Sequence, residues 1–169
     1  MINFPIIRVI TKLLIPYILL FGMYVQFHGD FGPGGGFQAG VIFASALILY
    51  GLVFGLPAAK KVAPPNVIEK LIALGVVVYA GTGVACMFCG EGGNFLDYNQ
   101  LEHTFLTEVP ESMHFLPGDN RHFLPSGQHL GIFLVELGVG ITVTSVMIMI
   151  FYAFAGRQQI TSQRKGAGT

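Results

Sequence analysis

Four apolar stretches, each long enough to cross a lipid bilayer, constrain this chain more than any other feature. They cover about residues 4–27, 37–56, 71–88 and 131–154. The second and third carry no formal charge, and the fourth carries one, Glu136. An α-helix rises 1.5 Å per residue, so about 20 such residues cross the hydrocarbon core. The chain is therefore predicted to be an all-α integral membrane protein with four transmembrane helices.

The composition agrees with a protein that lipid surrounds. Hydrophobic residues make up 53% of the 169 residues and charged residues 11%, whereas a soluble domain carries roughly 25% charged residues. The formal net charge is +0, which gives no reason to expect a nucleic-acid partner. The first stretch could also be a cleaved signal peptide, but residues 25–30 contain no small-x-small cleavage site. We therefore expect it to remain as a span.

The basic residues predict the orientation of the spans. Eight of the nine fall on one side of the predicted membrane, and only Arg121 falls on the other. The eight are Arg8, Lys12, Lys60, Lys61, Lys70, Arg157, Arg164 and Lys165. Cytoplasmic segments carry the excess of Lys and Arg, so both termini and the loop between spans 2 and 3 are predicted to be cytoplasmic.

This orientation divides the chain into a membrane domain and a tail. The four-helix transmembrane domain is predicted over residues 1–156, and a polar cytoplasmic tail over 157–169. The extracytoplasmic side then carries a short glycine-rich link, about 28–36, and a long acidic segment, 90–128. Connections longer than about 15 residues are commonly functional or disordered. Because this one also contains aromatic residues, we expect it to pack on the protein surface or on a partner.

The glycine-rich link contains the most distinctive motif, and two interpretations of it remain open. The turn is predicted to be formed by Pro33, Gly34, Gly35, Gly36, Phe37 and Gly40. One interpretation is a tight turn with available positive φ, followed by close helix contact at the G-x-x-x-G pair Gly36/Gly40. The other is an open helix N-terminus that holds an anion or a carboxylate on its free amides.

Glu136 is the main candidate for an ion path, because acids inside membrane spans are costly and commonly functional. His129 precedes it by seven residues on the same helix face, and the two could pass protons. His28 and Asp30 lie at the outer end of the first span and are further ion-path candidates. For each of these residues a structural role, such as a helix cap or a single tie to a partner, is the alternative.

The sequence contains no clear motif for redox chemistry, hydrolysis or metal binding. Cys86 and Cys89 form a C-x-x-C at a helix end, which indicates two packed thiols or a disulfide rather than a redox motif. No Gly-x-Ser-x-Gly, His-Glu-x-x-His or useful carboxylate pair is present. We expect no enzyme activity, no cofactor and no metal site.

Two runs resemble a known family. Residues 33–40 read PGGGFQAG, and residues 125–131 and 135–139 read PSGQHLG and VELGV. They resemble the B-type subunits of the Mrp-type multisubunit sodium/proton antiporter family, and the resemblance extends from about Val9 to Gly156. It implies a small four-helix protein of a bacterial or archaeal plasma membrane, assembled with larger antiporter-like subunits into a complex that exchanges Na⁺ for H⁺.

The expected function is thus that of an auxiliary subunit that contributes to assembly and to the ion path. The alternative is a scaffold subunit of a complex I-related redox complex, without an ion-transfer role of its own. Two features depart from the family pattern. The family places a His three residues before the proline, where this chain has Asp30, with His28 two residues earlier. The acidic segment from Glu91 to Arg121 is also longer than the family implies.

Overall fold

The computed structural model of the protein describes residues 5–29, 34–89, 95–96 and 127–166, with the backbone alone at 89, 127–130 and 158–166. Five helices form in these ranges. They are α1 (Pro5–His28), α2 (Gly36–Phe54), α3 (Leu56–Val62), α4 (Pro65–Cys89) and α5 (Gly127–Gly166). All but α3 contain a stretch long and apolar enough to cross a membrane. The prediction of an all-α chain with four membrane-spanning helices is therefore confirmed. Most of the predicted acidic segment lies outside the described residues.

The short helix α3 lies in the basic segment that the sequence indicates only as a loop. Gly55 separates it from α2 with a φ of 94°, a conformation that favours glycine. The Gly55 amide also donates to the Gly51 carbonyl at 3.0 Å and so closes α2. Pro57 then suits the first turn of α3, where a backbone N–H has no intrahelical acceptor. A search of the sequence for long apolar stretches does not detect α3, because the helix has only seven residues and two of them are lysines.

Two helices are longer than their apolar stretches. Helix α4 begins at Pro65, six residues before the predicted span, because Glu69 and Lys70 are good helix formers although they carry charge. Helix α5 has 40 residues, which corresponds to about 60 Å, or twice the thickness of the hydrocarbon core. The polar tail predicted from residue 157 therefore begins as a continuation of α5.

The four spans form an open row rather than a closed bundle. Helix α1 packs against α2, α2 against α5, and α5 against α4. Within the described residues, neither α1 nor α2 packs along α4. Helices α1 and α4 are therefore the two edges of the row, and much of each remains exposed: Leu20, Phe21 and Val77 are more than half accessible. Lipid or other membrane helices must cover these apolar surfaces.

The ends of the row differ in chemistry. Helix α1 ends, and α2 and α5 begin, at what we call the glycine end, which carries residues 29 and 34–36. The opposite end, here the basic end, carries α3 and all the basic side chains that the structure describes, apart from His28. Which end faces the cytoplasm stays a prediction from the positive charges.

The basic end contains the main apolar core. Its buried members are Ala44, Leu56, Ala59, Ile68, Ile148 and Tyr152. The Tyr152 hydroxyl donates to the Ala63 carbonyl at 3.0 Å, which ties the end of α3 to α5. Lys12 and Lys60 lie over aromatic rings at 5.7 and 6.0 Å from the centroids of Phe54 and Tyr152. Cation–π contacts of this kind let the lysine stems lie along apolar surface while their charges stay near water.

Candidate functional site

The candidate site lies near the glycine end, where α1, α2 and α5 meet. Helices α2 and α5 run parallel, and a seam of glycines brings their backbones together. A Cβ on Gly36 would overlap the main chain of Glu136, with 2.6 Å to its carbonyl carbon. One turn further in, a Cβ on Gly40 would lie 2.8 Å from the carbonyl oxygen of Gly140. The two helices can approach this closely only because side chains are missing at these positions.

A hydrogen bond reinforces the same seam. The Thr144 hydroxyl lies 3.0 Å from the Gly40 carbonyl oxygen and 2.7 Å from that of Gly140. A threonine can thus bond within its own helix and also bridge to the carbonyl of the neighbouring one. Because the interior of a bilayer offers no competing water, such a bridge helps to fix the register of α5 on α2.

The carboxylate of Glu136 lies in a space that only glycines leave open. A Cβ on Gly35 would be 2.9 Å from Oε1 of Glu136, and a Cβ on Gly29 would be 2.7 Å from the same oxygen and closer still to Oε2. Gly29 follows the last residue of α1, and Gly35 precedes the first residue of α2. We call Gly29, Gly35 and Gly36 the glycine cradle. The side chain is thus directed at the link between α1 and α2.

The N-terminus of α2 gives the cradle a favourable electrostatic field. Gly35 is its N-cap residue and provides no side-chain cap. The first backbone bond of the helix is donated by Ala39 to the Gly35 carbonyl at 3.0 Å, so the amides of residues 36–38 have no acceptor within the helix. A carboxylate beside such an end is stabilised by about 0.3–1 kcal/mol, and by up to about 2 kcal/mol where partly buried. Both interpretations of the glycine motif, close helix contact and a helix end beside a carboxylate, therefore describe parts of one arrangement.

The need for glycine here does not come from backbone strain. Gly35 has a φ of 175°, which is extended backbone that any residue can adopt. Among the described residues, Gly55 is the only glycine with positive φ in the left-handed range. The expectation of positive φ in the turn is therefore wrong for Gly34 to Gly36. Contact with Glu136 is what excludes side chains at Gly35 and Gly36.

Gln26 is a member of the site that the motifs in the sequence did not single out. It is 6% exposed on α1, and its Oε1 lies 2.9 Å from the position that a Cβ on Gly140 would take. The carbonyl oxygen of Gly36 lies 3.1 Å from that same position. In the described part of the chain, the Nε2 atom of Gln26 has no hydrogen-bond partner. Its only signal in the sequence is a lone amide in the apolar second half of the first span, which does not reveal that the residue is buried.

The other predicted site residues are placed less centrally or lie outside the described residues. The His28 ring stacks on Tyr24 of its own helix at 5.3 Å. Phe37 is 63% exposed at the start of α2. His129 belongs to α5, but only its backbone is described, and Asp30 and Pro33 lie outside the described ranges. The structure therefore brings Glu136 together with Gly35 and Gly36, and it does not test the pairing of Glu136 with a histidine.

Among the described residues, the cradle surrounds one ionisable acid, Glu136. No group of three or more His, Cys, Asp or Glu residues that could hold a metal ion occurs among the described residues. Cys86, also near the glycine end, is fully buried. A single carboxylate near the glycine end of a span, beside amide donors, can accept, hold and release a proton.

Comparison with known proteins relates most of this chain to one family of membrane subunits. Residues 6–149 match a family model described as a domain related to the MnhB subunit of the Na⁺/H⁺ antiporter. A protein of Staphylococcus haemolyticus described as a candidate antiporter subunit, mnhB2, is 32% identical over 154 residues, which cover 91% of this chain and 96% of that protein. The protein of the same description from Staphylococcus aureus strain Newman is 31% identical over the same coverage.

Proposed function

The chain belongs to the family related to the MnhB subunit of Na⁺/H⁺ antiporters, and from this premise we propose that it is an auxiliary membrane subunit of a multisubunit Na⁺/H⁺ antiporter. The observation that carries the proposal is the family match over residues 6–149, which includes the first three spans almost completely and residues 131–149 of the fourth. We place the complex in a bacterial or archaeal plasma membrane, with the basic end toward the cytoplasm. The subunit acts without catalysing a reaction of its own.

The open row of helices supports a role inside a larger assembly. A row has two edges and two broad apolar faces, whereas an independent transporter needs a closed path for its ion. The structure describes two acidic side chains in the helices. Glu69 lies near the start of α4, at the basic end, so Glu136 is the only described acid between the two ends of the row. One acid does not make a complete route across a membrane. Other subunits therefore complete the path, and they cover part of the exposed surface of α1 or α4.

Glu136 is the residue that we assign to the ion path. Its carboxylate lies against the glycine cradle, between the end of α1 and the start of α2, and the residue is partly buried. A charged group near membrane depth needs such surroundings, since about 2.5 kcal/mol or more opposes its burial in lipid. His129, His28 and Asp30 remain predicted members of the same path, and they would connect the cradle to water at the glycine end.

Gentle extraction from native membranes tests the proposal. The chain, carrying an affinity tag at its C-terminus, should leave the membrane in a large hetero-oligomer that contains further multi-span subunits. Vesicles from the same cells should show Na⁺-driven proton movement that disappears when the chain is deleted and returns when it is supplied again. A stable monomer or homodimer with full exchange activity would contradict the proposal. If the tagged chain is recovered only with redox subunits, and the vesicles show no Na⁺/H⁺ exchange, the scaffold role would be favoured.

A further inference from the structure

A second polar group lies deeper in the row than Glu136, and the ion path proposed above does not yet use it. Gln26 is more than nine-tenths buried between α1, α2 and α5, and its Nε2 has no partner in the part of the chain that the structure describes. A buried amide donor without an acceptor destabilises the folded protein. Native proteins keep such groups rare, and many of those present are bonded to ordered water.

The position of Gln26 relates it to the glycine cradle. Its carboxamide touches α5 at Gly140, which follows Glu136 by one turn on the same helix face. Gly36 lies next to both residues of α5: its Cα faces the main chain of Glu136, and its carbonyl oxygen faces Gly140. The carboxylate and the carboxamide therefore both lie against glycines of the contact between α2 and α5.

We propose that Gln26 is the inner end of a hydrated pocket that begins at the carboxylate of Glu136, and that this pocket takes bound water. A side chain from a partner subunit cannot reach Gln26, because its surroundings in this chain already cover it. A water molecule is small enough, and it accepts from Nε2 while donating toward the glycine carbonyl or the carboxylate. The proton that Glu136 gains or loses is then exchanged with this water, and no other bond changes.

The inference rests on the proposed function only where it assigns the pocket to the ion path, because hydration can be measured without transport. The test uses the whole complex in native membranes, with Cys86 and Cys89 replaced by alanine. Gln26→Cys is compared with Ala44→Cys, a position that is 1% exposed but lies in the apolar core. Silver ion is added, and the remaining thiols are then counted with a maleimide in denaturant.

A cysteine reacts as the thiolate, which needs water around it. The Gln26→Cys variant should therefore react with silver at least about tenfold faster than Ala44→Cys, because only the former thiol would ionise in a wet site. Equal, slow reaction at both positions would overturn the hydrated pocket. Fast reaction at Gln26→Cys, together with no Na⁺/H⁺ exchange in the complex that carries the wild-type chain, would contradict the proposed function and leave the pocket intact.

A second variant keeps the inference testable if Gln26→Cys does not assemble. In a dry site, Gln26→Leu replaces an unpaired amide by an apolar group of similar size, so the complex should become more resistant to thermal dissociation. In a hydrated site, the same change removes satisfied hydrogen bonds, so the resistance should stay equal or fall. A clear rise in the dissociation temperature would thus contradict the pocket, and its absence would support it.

Discussion

The main chain of Glu136 lies directly against Gly36, so closely that a methyl group on Gly36 would overlap the Glu136 carbonyl oxygen. This contact joins the start of α2 to α5 and at the same time determines where the carboxylate of Glu136 goes. The membrane-embedded acid and the glycine motif are therefore one structural unit. Changes in either should alter both the packing of the row and the surroundings of the acid.

Gly36→Ala should weaken the packing of α2 on α5. The added carbon cannot be accommodated by a flexible side chain, because backbone atoms oppose it, and overpacking of this kind costs about 1–3 kcal/mol or more. The yield of assembled complex and its thermal dissociation temperature are the measurements. Gly81→Ala is the matched control, since a Cβ there would meet nothing within 4 Å. Equal behaviour of the two variants would show that the close contact does not form.

Gly35→Ala should act through the carboxylate alone. The extended φ of 175° permits alanine, so the backbone is not strained, but the new Cβ would lie 2.9 Å from Oε1 of Glu136. We expect reduced exchange activity, and we expect most of that effect to vanish in a Glu136→Ala background. A double-mutant cycle on exchange rates measures this coupling. Fully additive effects would mean that Gly35 and Glu136 act separately.

Tyr152→Phe should loosen the contact between α3 and α5. The hydroxyl donates to the Ala63 carbonyl at 3.0 Å in a largely buried position. Its loss leaves that carbonyl less satisfied and should cost about 1 kcal/mol, seen as a lower thermal dissociation temperature of the complex. Tyr17→Phe is the control, because Tyr17 is 63% exposed. An equal shift in both variants would argue against this hydrogen bond.

The basic end should face the cytoplasm. Lys61 lies on α3 at that end and is exposed, whereas Glu102 belongs to the predicted outer segment. In intact cells, a membrane-impermeant thiol reagent should label Glu102→Cys, and it should label Lys61→Cys only after permeabilisation. The opposite pattern would reverse the orientation and with it the assignment of the glycine end to the outside.

Much of the fold follows from the sequence because bilayer thickness imposes length and apolarity on each span. The four spans, the glycine motif and the isolated acid Glu136 are all visible there, and the motifs also predict the family. Helix α3 is not visible there, because its seven residues follow a break at Gly55 and bury Leu56 and Ala59 against α4 and α5. Local composition cannot reveal such a tertiary effect.

The geometry of the site could be predicted only in part. The sequence suggests a carboxylate at the start of α2, but nothing in it indicates that Glu136, about 100 residues later, is that carboxylate. Gln26 was missed for the same reason: its importance depends on burial between three helices, and a lone amide in a span has no periodic signal. The row arrangement also depends on which apolar faces meet, and all four spans are apolar on several sides.

Na⁺-driven proton movement in membrane vesicles, measured at equal amounts of assembled complex, shows whether Glu136 takes part in the ion path. Glu136→Gln keeps the size and the hydrogen-bonding groups of the side chain in the glycine cradle but removes its titratable charge. We expect normal assembly, with the exchange rate reduced at least several-fold relative to the wild-type chain. Normal assembly with unchanged exchange, in both Glu136→Gln and Glu136→Ala, would contradict a role for this acid in the ion path.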